Sequence, residues 1–152
     1  MYNVIVVGTD GSATAAVAVR HAAGLAKLTG ARLHIVHAYQ VVSAGSVAIA
    51  GTMPTWIDDL EGVNAGIATE SELVCSRAAA EALSDGVDVE THALAGDAAD
   101  LLVTVAEDVG ADLVVVGNRG MTGVRRFVLG SVPNKVSHRC SCNLLIVDTS
   151  PD

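Results

Sequence analysis

The chain has 152 residues, a formal net charge of −8, and 51% hydrophobic but only 3% aromatic residues. One domain with an aliphatic core is expected at this length, and the acidic balance argues against a nucleic-acid partner. No apolar run reaches the roughly 18 residues of a membrane span, and MYNVIVVGTDG lacks the basic start of a secretory leader, so a cytoplasmic protein is expected.

Val4 to Val7 (VIVV) reads as a buried strand, followed by the turn residues GTDGS. Ser12 is the expected N-cap of a helix over Ala13 to Leu28, which Gly30 stops. Arg32 to Ala38 is the next strand. Residues 39–66 are rich in Gly, Ser and Thr, with Pro54 and isolated apolar points at Trp56 and Ile57. They read as a flexible loop of the kind that forms lids. Glu70 to Leu83 is expected to be helical, with Gly86 as its stop. Val87 to Leu94 (VDVETHAL) alternates apolar and polar residues, as a half-exposed strand near a sheet edge does.

Asp97 is the expected N-cap of the next helix, whose apolar stripe is Leu101, Leu102, Val105 and Ala106. Leu113 to Val116 (LVVV) is the most apolar strand. The stretch GNRGMTGVRRFVLGS (117–131) follows it. Ser131 to Arg139 reads as a short helix with Pro133 in its first turn, where a missing N–H costs little. Leu144 to Val147 is the last strand. Such alternation predicts one doubly wound domain over 1–152: a parallel sheet with helices on both faces and right-handed crossovers. Ligands of such sheets sit beyond the carboxyl ends of the strands. Three connections reach that rim: Gly8 to Ser12, Ala38 onward, and Gly117 to Ser131.

The side chains that usually carry chemistry are sparse. Histidines 21, 34, 37, 92 and 138 are scattered and read as packed or surface residues. Cys75, Cys140 and Cys142 read as reduced thiols; Cys140-x-Cys142 lacks the second ligand pair of a zinc site. No G-x-x-x-x-G-K-[ST], no G-x-G-x-x-G after the first strand, no G-x-S-x-G and no H-E-x-x-H occurs. The acidic pair after the first strand and the late lysine of a phosphoacceptor receiver domain are also missing. No catalytic residue is assigned.

What remains is Gly117-x2-Gly120-x9-Gly130-Ser131. Gly117 ends a buried strand, and Gly120 lets backbone N–H groups approach an anion without an intervening Cβ. Gly130 and Ser131 open a helix, whose free N–H groups and positive dipole end favour phosphate. Ser131 also reads as a helix N-cap. Five of the nine basic residues (Arg119, Arg125, Arg126, Lys135, Arg139) lie between 117 and 139, where there is no acid. They are read either as added charge for an anion or as a solvated basic face.

This pattern after an apolar strand resembles the nucleotide-binding signature of the universal stress protein family. VIVVGTDGS is similar to that family's first strand and turn, and ADLVVVGNRGMTGVRRFVLGSVPNKVSHRCSCNLLIVD to its C-terminal third. The resemblance implies a Rossmann-like five-stranded sheet in the order 3-2-1-4-5 and an adenine nucleotide: ATP, or AMP or cyclic AMP, with Mg2+ accompanying ATP. It implies that Gly117, Gly120, Gly130 and Ser131 take the phosphates and ribose, and that Thr9 and Asp10 meet the base or ribose edge. Asp10 also reads as a turn and capping residue. Ala38 is placed near adenine, Val116 and Asn118 flank the signature as backbone contacts, and Arg119 and Val132 adjoin its glycines. Gly123 lies outside the spacing and has no assigned role. The implied function is a nucleotide sensor or regulator in stress response, with slow ATP hydrolysis as an alternative. The implied assembly is a homodimer paired through the last strand.

Overall fold

A computed structural model describes residues 1–45, 59–118 and 129–149. In chain order the elements are β1 (Val4–Thr9), α1 (Ala13–Thr29), β2 (Arg32–Tyr39), α2 (Leu60–Ser84), β3 (Val89–Ala95), α3 (Ala98–Asp108), β4 (Leu113–Gly117), α4 (Ser131–Arg139) and β5 (Asn143–Val147). The strands form one parallel sheet in the order β3-β2-β1-β4-β5, as the resemblance implied. β1 lies in the middle, and β3 lies at an edge, as its alternating pattern predicted.

Strand residues alternate between two apolar layers. Ile5, Val7, Leu33, Ile35, Leu113 and Val115 face the alanine-rich sides of α1 and α2 (Ala18, Ala22, Ala26, Ala79, Ala82). Val6, Val36, Val114 and Val116 face Leu102, Val105, Ala106 and Val136 of α3 and α4. Each buried Val, Leu or Ile contributes about 1.5–3 kcal/mol. Small alanines on α1 let that helix lie close to strands whose β-branched side chains fill the layer. The sheet is covered on both faces, which is why its central strands are uninterrupted apolar runs.

Local chemistry sets the element ends. The Ser12 hydroxyl accepts from Ala15 N at 3.1 Å, and Gly30 closes α1 in the left-handed region at φ 72°. Asp97 caps α3 by accepting from the Ala99 and Asp100 amides.

The loop expected over 39–66 is shorter at both described ends. β2 continues to Tyr39, and α2 begins at Leu60, ten residues before the expected start. Asp59 caps α2 through Gly62 N at 3.0 Å, and Asn64 exchanges two hydrogen bonds with the Val42 backbone. Capping thus outweighs the glycines at 62 and 66. The buried positions of α2 begin only at Ser71 and continue through Cys75, Ala79 and Ala82. Its first turns therefore carry little of the apolar periodicity by which a helix is recognised. Residues 46–58, including Pro54, Trp56 and Ile57, lie outside the described residues.

Candidate functional site

The carboxyl ends of β1, β2 and β4 and the start of α4 converge on one cleft of about 160 Å³. Its floor is backbone: Gly8, Thr9 and Asp10 leave β1, and Gly117 ends β4. Val36, Ala38, Leu102 and Val116 form an apolar wall, and Gly130, Ser131, Val132 and Pro133 close the other side. Eight of the residues assigned from sequence therefore line the same space: Thr9, Asp10, Ala38, Val116, Gly117, Gly130, Ser131 and Val132. Arg119 and Gly120 lie outside the described residues, as do Gly123, Arg125 and Arg126.

Gly130, not Ser131, is the N-cap of α4, and no side chain caps this helix. Ser131 is its first helical residue and is exposed. The expected capping role of Ser131 is thereby corrected. Pro133 in the first turn has no N–H, so Ser131 and Val132, both lining the cleft, supply the amides of this turn. A side chain at Gly130 would be a tight fit. Its N–H donates to Asn118 O at 3.1 Å, and a Cβ there would stand 3.3 Å from that same oxygen. At the opposite wall, a Cβ on Gly8 would meet Leu102 Cδ1 at 3.0 Å.

Asn118 was expected as a backbone contact beside the signature. It is absent from the cleft lining and ties three segments together instead. Its N–H donates to Val147 O at 2.8 Å, its Nδ2 donates to Asp148 Oδ1 at 2.8 Å, and its Oδ1 accepts from the Thr149 amide and hydroxyl. It clamps the end of β4 to the residues after β5 and to the start of α4. Asp10 combines both of its readings: it lines the cleft, and its Oδ1 accepts from Ser12 N at 2.9 Å in the turn before α1. Thr9 is held in the same manner, its hydroxyl accepting from Gly11 N and its carbonyl bonded to His37 Nδ1 at 2.9 Å.

Two of the basic residues counted near the glycine loop are engaged elsewhere. Lys135 Nζ lies 2.9 Å from Asp97, and Arg139 pairs with Asp100, so both join α4 to α3. Cys140 and Cys142 have sulfurs 3.2 Å apart and pack as small apolar side chains against the α3–α4 layer. Burial and the adjacent Cys140 thiol push Cys142 up to about 11, which keeps it an unreactive thiol at neutral pH.

Gly8, Ala15, Val36, Ala98, Leu102 and Pro133 line the cleft without having been assigned from sequence. For Val36 a signal existed: it sits two residues before Ala38 on one strand and so shares its face. Leu102 and Ala98 had none, because only the packing of α3 on the sheet brings them to the rim.

A parallel sheet of this order defines a doubly wound α/β protein with a cleft at its carboxyl rim, and comparison with known proteins narrows the class. The universal stress protein family model matches residues 1–148, and the chain belongs to that family. It is 31% identical over 147 residues to the universal stress protein YxiE of Bacillus subtilis, covering 97% of this chain and 99% of that one. A solved universal stress protein in complex with cAMP is 33% identical, covers 98% of both chains and superposes with a TM-score of 0.69. MJ0577, at 22% identity and a TM-score of 0.81 over the whole of this chain and 99% of its own, shares the fold. Among the described residues, no helix is long and apolar enough to cross a membrane.

Proposed function

We propose that this protein binds an adenine nucleotide, ATP first, in the cleft at the carboxyl rim and acts as a nucleotide sensor or regulator in stress response. The observation that carries this reading is the α4 N-terminus. No side chain caps it, and it opens onto the same cleft as the ends of β1 and β4. The Ser131 and Val132 amides and the Ser131 hydroxyl would receive phosphate oxygens, each dipole contact contributing about 0.3–1 kcal/mol. Val36, Ala38, Leu102 and Val116 offer an apolar wall for the base. Gly117 and Gly120, with Arg119, complete the signature loop in this reading.

Asp10 suits a Mg2+ ion carried in with the phosphates, because Mg2+ takes one or two carboxylates and keeps several waters. It is the one carboxylate among the described lining residues, which include no lysine. Hydrolysis needs a water-positioning group besides the metal, so the reading favours retention of the nucleotide over turnover. If Asp10 supports slow hydrolysis, Asp10→Asn abolishes it and spares binding; unchanged turnover would exclude that role.

Cyclic AMP is the second reading, favoured by the 33% identical relative solved with that ligand. Titration calorimetry with ATP, AMP and cyclic AMP tests both. Saturable binding of ATP with AMP weaker supports the first reading, and a preference of more than about tenfold (1.4 kcal/mol) for cyclic AMP selects the second. Absence of binding by all three overturns both.

The assembly that accompanies this reading is a two-fold homodimer paired through β5. Its support is the apolar edge itself: Leu144 and Leu145 are only half-buried, and Ile146 is 36% exposed.

A further inference from the structure

The β3 edge of the sheet gathers three metal-ligating side chains away from the cleft. β3 places Glu90 and His92 two residues apart, so both project from one face of the strand. The parallel register sets His34 of β2 beside Glu90, and Val36 beside His92. His34 therefore lies diagonal to His92 on the same face. The ring nitrogens His34 Nδ1 and His92 Nε2 are 2.9 Å apart. Glu90 lies 3.8 Å from the first through Oε2 and 3.9 Å from the second through Oε1.

We propose that His34, Glu90 and His92 form a Zn2+ site with its fourth position open to water. Two imidazoles and one carboxylate are borderline-soft N/O donors, a set that zinc accepts in tetrahedral geometry with water as the remaining ligand. With bonds of about 2.1 Å, tetrahedral zinc holds neighbouring donors roughly 3.4 Å apart. The histidine pair has to open slightly and the carboxylate to approach slightly. Both movements are available. The Glu90 side chain is 56% exposed, and His92 sits on an edge strand. His34, by contrast, is 3% exposed and anchors the set to the sheet.

The facing nitrogens, 2.9 Å apart, also suit a cation between them. Two neutral imidazoles at this distance can meet only by sharing one N–H proton, because two lone pairs repel. Zinc takes the place of that proton and uses both lone pairs. The neighbouring positive charge is already countered: Arg32 pairs with Asp88 at 2.8 Å, one step down the same strands. The sequence hid the site because Glu90-x-His92 is an ordinary strand alternation, and only the register adds His34.

The test uses untagged, full-length protein equilibrated with excess Zn2+, desalted, and assayed for metal by atomic emission, with affinity from competition against a chromophoric chelator. The expected result is a single zinc per chain. His92→Gln and Glu90→Gln should lower affinity by at least the roughly 10–100-fold that even outer-shell changes cost. Two controls guard against other donors. Cys140→Ser/Cys142→Ser, which removes the paired thiols, and His21→Gln, on the exposed side of α1, should leave zinc binding unchanged. Co2+-loaded protein should show d–d bands without thiolate charge transfer. Circular dichroism confirms that each variant is folded, and His92→Gln and Glu90→Gln alter only side chains at the edge. The proposal is overturned if the wild type retains no zinc, if zinc follows the cysteine pair, or if both edge variants bind as tightly as the wild type.

Discussion

At the scale of single residues, Gly130 and Asn118 do opposite jobs within 3.1 Å of one another. Gly130 matters for what it lacks. Gly130→Asp adds a Cβ against the Asn118 carbonyl and a negative charge at the position proposed for phosphate. Nucleotide binding in calorimetry should be lost, while the melting temperature changes little because an acid suits a helix N-cap. Binding at wild-type affinity would remove Gly130 from the site. Asn118 matters for what it holds. Its Oδ1 is the acceptor for both the amide and the hydroxyl of Thr149, a residue only 4% exposed. Asn118→Ala leaves these donors without that partner and should cost about 1–3 kcal/mol in urea unfolding. The family signature assigns Asn118 to ligand by position alone; its hydrogen bonds show a structural clamp.

At the scale of elements, α3 and α4 are joined by Asp97–Lys135 and Asp100–Arg139. Lys135 hydrogen-bonded to its side chain, followed by the amides of Asp100 and Ala99, holds the Asp97 carboxyl below its ordinary value of 3.8. A depressed folded value means that the carboxylate contributes stability above 3.8, and that this contribution disappears as pH falls through the lower folded value. Asp97→Ala should therefore destabilise the protein by about 1 kcal/mol at neutral pH, mainly through the lost cap. The difference from wild type should shrink in melts taken below pH 3.8; an equal difference at both pH values would contradict this. Legibility also varied by element. Strands β1 and β4 were readable because their residues are buried on both faces and so form continuous apolar runs. The caps Ser12 and Asp97 were readable because their residue types act locally. The start of α2 was not, since Leu60 to Glu70 contributes no residue to the core and its cap, Asp59, sits in a glycine-rich setting. The cleft was half legible: its glycines carry a spacing, whereas Leu102 and Ala98 reach it only through helix packing.

At the scale of the whole molecule, the sheet has one edge at β3, with its histidine–glutamate set, and another at β5. If β5 is the dimer edge, Ile146→Lys places a charge on the exposed apolar position and should convert a dimer to a monomer in light scattering, with the fold retained by circular dichroism. A wild-type monomer at every concentration would dismiss the pairing. The central position of β1 reaches further, into the order of events during synthesis. Ile5, Val6 and Val7 pair on one side with Leu113, Val114 and Val115, and the Asp112 carboxylate accepts from the Asn3 and Val4 amides at 2.6 and 3.0 Å. A ribosome adding about 5–20 residues per second delivers β2 soon after β1 but β4 only several seconds later. Until then β1 is itself an edge, apolar on both faces and half-paired. The nascent chain thus passes through an interval in which an apolar strand edge is open to another chain. A pause in translation between β1 and β4 would lengthen that interval.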